Sequence, residues 1–396
     1  MQNFKLNETE ILSNQDWTFP TNTAYGPGRF KEIGDHCKKF RIRNPLIVTD
    51  NGSTKLPFIK ELKELLIKAN IKSDLFTDIS PNPREDEISI GCKKYKDGNH
   101  DSIIAIGGGS AMDGGKLICL TANNDVPLRD FEFELTPPKI SKDNPFPKII
   151  TIPTTAGTGA ETEITAMVTY VKEGMKFCMW HPDARPILAL VDPELTLGLP
   201  SSLTAWTGVD AMVHAIEGYC VPGFHPLCDG SALESLSLIS KSLYLAVEEP
   251  KNIVARGGMH IGSYLGGIAF LKGLGNVHSI SHMVGAEFNT QHGLTNAIIL
   301  PVVLKYNLYD MDEKVKRMSE AMQFKEHSVD SFINNIEKML DRLQIPKSLS
   351  EIGVTEDCVD RIAKKAMKDQ AYATNPKKAS YEDMKEMVMQ SIKKAR

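Results

Sequence analysis

The stretch SIIAIGGGSAMDGGK at 102–116 decides how this chain is read. An apolar run of strand length enters three successive glycines and continues into a segment of helical composition. That is the strand–turn–helix unit of a parallel α/β sheet, with glycines that let backbone N–H groups approach a phosphate. It matches neither G-x-G-x-x-G nor a Walker A loop, because Ser110 stands where Walker A needs its first glycine and Leu117 replaces its Ser/Thr. A tight structural turn is therefore the competing reading, and Asp113 within it serves equally as a helix cap.

Outward from this unit the same rhythm recurs. Strands are predicted at 45–50 (PLIVTD), 72–78, 102–108, 148–154 and 186–192, with helices such as 56–70 and 85–98 between them. Strands alternating with helices of this length imply βαβ units. Beyond about Ser201 strand signals vanish and helical patterns take over at 229–248, 252–270, 311–324, 329–343 and 355–370. The expected organisation is an α/β Rossmann-like domain over 1–198 and an all-α domain over 199–396, with a ligand in the cleft between them.

The 396 residues carry a net charge of -4, which gives no general attraction to nucleic acid or anionic membranes. Seven cysteines without a C-x-x-C pair suggest neither a disulfide framework nor a thiolate zinc site and suit a reducing, cytoplasmic setting. The polar start, MQNFKLNETEILSNQ, lacks the pattern of a secretory leader. No window approaches the roughly 18 apolar residues of a membrane span.

Two further segments carry chemistry in the α/β part. Asp50 ends the first strong strand, where a carboxylate can bond ribose hydroxyls and repel a 2′-phosphate, favouring NAD; it equally starts a turn with Asn51 and Gly52. In IPTTAGTGAETE (152–163), Thr154, Thr155 and Thr158 are candidates to bond a pyrophosphate or a nicotinamide amide.

The helical part holds a metal-type set. Asp210 and His214 are four apart in TGVDAMVHAIEGY and share a helix face. His278 and His292 lie in GLGNVHSISHMVGAEFNTQHG. One carboxylate and three imidazoles suit a divalent transition metal. Each member alone has an ordinary reading, as a surface pair, a packed histidine or a cap, and His282 shares a helix face with His278. Yet Asp210 and His214 sit among apolar residues, where an uncompensated pair is costly, so jointly the metal reading is preferred.

The ordered set PNP (81–83), IAIGGGSAMDGGK, IPTTAGTGAE, VDPELTLGLP, TGVDAMVHAIEGY, GLGNVHSISH and QHGLTNAIILP resembles the iron-containing (group III) alcohol dehydrogenase family over nearly the whole chain. The resemblance implies the dehydroquinate synthase-like, iron-type alcohol dehydrogenase fold, with NAD and Fe²⁺, or alternatively Zn²⁺, between the two domains. It implies Asp210, His214, His278 and His292 as metal ligands and His282 as a proton relay near the nicotinamide. It implies Asp50, Asn82, Gly109, Ser110, Thr154, Thr155, Lys176 and Leu195 as cofactor contacts. The implied reaction is hydride transfer between a small primary alcohol or ω-hydroxy acid and NAD, the metal polarising the substrate oxygen. Reduction of an aldehyde, semialdehyde or phosphonoacetaldehyde is the alternative within the family, a non-catalytic nucleotide-binding regulator the alternative outside it. A homodimer or larger homo-oligomer is the implied assembly.

One departure stands out. Family members commonly read F-x-N-x-G-L-G before the first late histidine; this chain reads Phe270-Leu271-Lys272-Gly273-Leu274-Gly275, one residue shorter and with a lysine. Phe270 and Lys272 are therefore candidate substrate contacts. Lys272 is either a cation for an anionic substrate tail or a solvated loop residue.

Overall fold

The computed structural model describes Leu12, the backbone of Gln15–Trp17 and residues 21–396. The reading of the polar start as free of a leader pattern otherwise falls outside the described residues. The chain divides into two compact units. One runs to Thr155 and resumes over Ala160–Leu197; the other comprises Ala156–Gly159 and Gly198–Arg396.

The first unit is built on strands β1 (Gln15–Trp17), β2 (Thr23–Tyr25), β3 (Pro45–Asp50), β4 (Asp74–Ile79), β5 (Ser102–Gly107), β6 (Lys148–Pro153), β7 (Ala166–Tyr170), β8 (Met175–Met179) and β9 (Leu188–Val191). Its helices are α1 (Ile33–Lys39), α2 (Pro57–Lys68), α3 (Glu85–Asp97) and α4 (Gly109–Ala122). The main sheet has the order β1-β2-β9-β6-β5-β3-β4. The β1–β2 pairing is antiparallel and every other pairing in this sheet is parallel. Helices cover both faces, so the strands read as unbroken apolar runs. Along β5, Ile103 and Ala105 face one core with Leu46, Val48 and Leu117, while Ile104 and Ile106 face the other with Ile47, Leu62 and Leu66.

Four strands had no counterpart among those predicted. β1 and β2 have three residues each, too few for a periodicity. β7 and β8 form a separate antiparallel hairpin, Ala166 opposite Met179 and Thr169 opposite Lys176, around a turn whose Gly174 has φ 57°.

Strand order reverses between β3 and β5, which neighbour each other although β4 lies between them in sequence. Ligands of open α/β sheets bind at the carboxyl ends flanking such a reversal. Asp50 ends β3, Gly107 ends β5 and Thr154 follows β6, so the three candidate segments share that edge.

The loop after β6 is tied down from within. Lys116 of α4 is 1% exposed, and its ammonium donates to the Ala160 carbonyl at 2.8 Å, to the Thr165 carbonyl and to Glu163 Oε1 at 3.0 Å. Asp113 lies 3.6 Å from the same ammonium. It is the fifth residue of α4, whose cap position is Gly108, so it does not cap the helix. Burial pushes the Asp113 carboxyl up to about 6 against the pull of Lys116.

The second unit contains α5 (Ser201–Cys220), α6 (Pro226–Glu248), α7 (Ile253–Ala269), α8 (Asn276–Phe288), α9 (His292–Asn307), α10 (Asp312–Met322), α11 (Val329–Arg342), α12 (Val359–Ala366), α13 (Gln370–Thr374) and α14 (Tyr381–Lys393). Among the described residues it has no strand. α5 and α9 are buried almost all round, the signature of a helix enclosed by others. α5 packs on α6, α7 and α9, and α8 packs on α9, α12 and α13. Among the described residues no helix is long and apolar enough to cross a membrane.

Lys116→Met should lower unfolding stability by about 3–5 kcal/mol, since it leaves Glu163 buried without its cation. Urea melts of the single variant and of Lys116→Met/Glu163→Gln check this: the double variant should recover part of the loss.

Candidate functional site

The helical unit brings four distant side chains together. One ligand atom each from Asp210, His214, His278 and His292 lie within 4.8 Å of one another. Asp210 Oδ1 is 3.9 Å from His214 Nε2, 4.0 Å from His278 Nε2 and 3.7 Å from His292 Nε2. Asp210 and His214 share one face of α5, His278 is the third residue of α8 and His292 is the first residue of α9. α9 reaches α5 because position 293 is glycine: a Cβ there would lie 2.5 Å from the Trp206 carbonyl oxygen and 3.1 Å from Asp210 Cβ.

Orientation comes from a second ring of residues absent from the sequence reading. Glu217 lies one turn beyond His214 on α5 and is 4% exposed. Its carboxylate accepts the backbone N–H groups of Gly275 (3.1 Å) and Val277 (2.8 Å), and His278 Nδ1 lies 2.7 Å from Oε2. That partner assigns the His278 proton to Nδ1 and leaves the Nε2 lone pair facing the cluster. Asn296, four residues after His292, donates to Asp210 Oδ1 at 2.7 Å. Burial pushes the His214 imidazole down to about 4, so it is neutral at pH 7 as a ligand must be.

These donors fit a divalent transition metal. Asp210 is 1% exposed, and among the described residues no lysine or arginine pairs with it. A buried carboxylate ringed by imidazole lone pairs calls for a cation, and one oxygen with three nitrogens suits iron or zinc.

His282, one turn after His278, stacks on His292 with ring centroids 5.5 Å apart. Its Nδ1 is 2.8 Å from Asp369 Oδ2, and Asp369 is itself held by Ala371 N–H on its other oxygen at 2.8 Å. The proton is thereby assigned to Nδ1. Phe270 rests on His214 with centroids 4.9 Å apart. Lys272 is placed elsewhere. Its side chain is largely covered and ion-paired with Asp229, and its ammonium also meets the Tyr219 carbonyl at the end of α5 (3.4 Å). Lys314 donates to the same carbonyl at 2.7 Å. The two lysines neutralise a helix C-terminus.

In the α/β unit, Gly107 has φ 145°, and a Cβ there would stand 2.8 Å from Asp50 Oδ2. Ser53 donates its N–H (2.9 Å) and hydroxyl (2.8 Å) to the Asp50 carboxylate, so Asp50 also organises its turn. The Thr154 N–H donates to the Gly107 carbonyl at 2.8 Å, joining the two loops, and the Ser110 hydroxyl donates to the Pro81 carbonyl at 2.6 Å, drawing Asn82 to the start of α4. Gly109 begins α4, and Thr155 borders Gly108. Lys176 lies on β8, and Leu195 packs on the sheet core from the turn Pro193–Thr196. Thr158 belongs with Ala156–Gly159 to the helical unit.

Comparison with known proteins gives a consistent match. Residues 20–193 match the family model described as iron-containing alcohol dehydrogenase, and residues 204–392 match that of the Fe-containing alcohol dehydrogenase family, C-terminal. The chain is 34% identical to alcohol dehydrogenase 4 of Schizosaccharomyces pombe, over 92% of this chain and 86% of that one. It is 32% identical to the NAD-dependent methanol dehydrogenase of Bacillus methanolicus, over 94% and 98%. Among solved structures, a 1,3-propanediol oxidoreductase superposes with a TM-score of 0.88 at 30% identity, covering 93% of this chain and 97% of that one.

Glu217→Gln should lower divalent-metal affinity by about 10–100-fold, the scale of such supporting hydrogen bonds. Metal retained per protein after dialysis against a graded chelator measures it; wild-type retention would refute the orienting role.

Proposed function

This chain belongs to the iron-containing alcohol dehydrogenase family, and on that premise we propose that it oxidises a small primary alcohol by hydride transfer to NAD, with Asp210, His214, His278 and His292 holding Fe²⁺. The enzyme is an NAD-dependent alcohol dehydrogenase. The observation that carries the site assignment is the convergence of those four side chains, three buried and His292 half-buried, in one set. When bound there, the ion supplies Lewis acidity toward the substrate oxygen. Zn²⁺ is the competing ion, since the donors select a ligand type more sharply than a metal.

The chain's own groups divide the remaining work. His282, with its Nδ1 proton held by Asp369, offers Nε2 as the base that carries the alcohol proton away. Phe270 covers His214 with an apolar ring. For NAD we propose Asp50 at the ribose, Gly109 and Ser110 with the start of α4 at the pyrophosphate, and Asn82, Asp113, Thr154, Thr155, Thr158, Lys176 and Leu195 as further contacts. Asp113 and Lys116 already bind one another, which favours an indirect part for Asp113 through the loop that Lys116 holds.

The environment of Lys272 favours a neutral alcohol over an ω-hydroxy acid. Its charge is engaged by Asp229 and by a helix end, which leaves little to attract an anionic tail. A homodimer or larger homo-oligomer in the cytoplasm completes the proposal; seven free cysteines support the reducing compartment.

The test is anaerobic reconstitution with Fe²⁺ and an assay of reduced-nicotinamide absorbance on alcohols, diols and hydroxy acids, with NAD⁺ and NADP⁺. Activity with NAD⁺ and a higher kcat/KM for 1-butanol than for 4-hydroxybutyrate are expected. Silence in both directions would return the chain to the regulator class, and preference for NADP⁺ would contradict the role of Asp50. Asp369→Asn should lower kcat by about 10²-fold or more, within the range of general acid–base catalysis, while metal content and the KM for NAD⁺ hold. A change confined to KM would sink the relay.

A further inference from the structure

The turn that links α7 to α8 sets an apolar ring on His214 and is tied down at three points. Phe270–Lys272 forms one turn of 3₁₀ helix directly after α7 and packs on α5, α6 and α7. Gly218 of α5 stands against its entry, where a Cβ would lie 2.9 Å from the Ala269 carbonyl oxygen and 3.2 Å from the Phe270 nitrogen. Thr374, the last residue of α13, clasps its exit. The Leu274 N–H donates to the Thr374 hydroxyl at 3.2 Å, and that hydroxyl donates to the Leu274 carbonyl at 2.7 Å.

Between these ends stands Lys272. Its side chain is 5% exposed, and its ammonium bridges two helix termini. It bonds the Asp229 carboxylate in the first turn of α6 and the Tyr219 carbonyl in the last turn of α5, the latter at 3.4 Å. Each terminus favours its partner, since a helix N-terminus stabilises an anion and a C-terminus a cation. A largely covered pair resists separation, because breaking it leaves a charge uncompensated. Phe270 lies two residues before Lys272 in the same turn, its ring on His214 with 4.9 Å between centroids and 60° between planes. Leu271, between them, is 44% exposed, so its burial does little to hold the turn.

We propose that the Lys272–Asp229 pair is a positioning device for substrate selectivity: by fixing the turn it keeps the Phe270 ring over His214, where the carbon chain of an alcohol must pass. The proposal rests on the alcohol reading of the preceding section, and it gives Lys272 a part in selectivity without contact with substrate. With the ring held, short chains fit and long ones meet it. With the pair broken, the ring swings aside and longer chains enter. One methylene in an apolar pocket changes kcat/KM by about tenfold or more, so a small displacement of the ring is readable across a homologous series.

Full-chain wild type, Lys272→Met, Asp229→Asn, the double variant and Lys314→Met are reconstituted with Fe²⁺ and assayed with NAD⁺ on ethanol, 1-butanol, 1-hexanol and 1-octanol. Lys314 is the control, because it bonds the same Tyr219 carbonyl at 2.7 Å from α10, outside the turn. In Lys272→Met and Asp229→Asn the kcat/KM ratio of 1-octanol to ethanol should rise at least about tenfold. The change should lie in KM for the alcohol, with KM for NAD⁺ and iron content unchanged. The double variant should match Lys272→Met within about twofold, as two residues acting as one unit do, and Lys314→Met should keep the wild-type ratio. An equal fall on every alcohol, the pattern of a merely structural role, would overturn the proposal. A shift in Lys314→Met as large as that in Lys272→Met would overturn it too. Should Lys272→Met fail to fold by circular dichroism, Asp229→Asn carries the same comparisons. The ¹⁹F resonance of 4-fluorophenylalanine placed at position 270 reads the pinning without turnover: one narrow line is expected in wild type and a broadened or split line in Lys272→Met. Identical lines in both would sink the pinning. A wild type silent on all four alcohols would instead refute the alcohol reading and the selectivity drawn from it, a result the fluorine line tells apart from failed pinning.

Discussion

A carboxylate enclosed among imidazoles is the constraint on which the helical unit depends. Asp210 is buried in the middle of α5, and its charge must be met from inside the protein or by something the protein holds. Everything nearby is arranged around that need. Gly293 lets α9 close on α5, and Glu217 gathers the first N–H groups of α8 and turns His278 toward the cluster. His282 faces the same set, with its far nitrogen held by Asp369. Two carboxylates, Glu217 and Asp369, thus each hold an imidazole by Nδ1, which fits the proposal that one binds an ion and the other moves a proton.

The α/β unit meets a different requirement, a glycine-lined strand edge for the pyrophosphate proposed to lie there. Gly107 takes a conformation that side-chain-bearing residues rarely adopt. Its carbonyl accepts from Thr154, so the loops after β5 and β6 are joined along one edge. Beneath them Lys116 spans from α4 to two carbonyls and a carboxylate of the segment after β6. A buried lysine is expensive to keep unless such partners are complete, and here they are.

The comparison between sequence and structure is sharpest residue by residue. The strands at 45–50, 102–107 and 148–153 were legible because strands buried on both faces are apolar throughout. The hairpin of β7 and β8 was not, since a short antiparallel pair leaves only weak alternation. Glu217 and Asn296 carried a faint signal, one helical turn from His214 and His292. Asp369 carried none, being 87 residues from His282. Lys272 was conspicuous as a charge in a shortened loop, but a lone charge in sequence does not announce its partner, and Asp229 lies 43 residues away.

By itself the sequence determined the class of the chain: alternation of apolar strands and helices, glycines where backbone must approach phosphate, and a carboxylate–imidazole pair at helical spacing in apolar surroundings. These are local properties, set by period, by backbone conformation and by the cost of burying charge. The tertiary structure alone decided which charges are spent and which remain available. Lys272 and Lys116 are neutralised by partners from other elements, whereas Asp210 meets imidazoles and an amide. Electrostatic compensation acts through space, across gaps of tens of residues, and only the folded chain shows who stands beside whom.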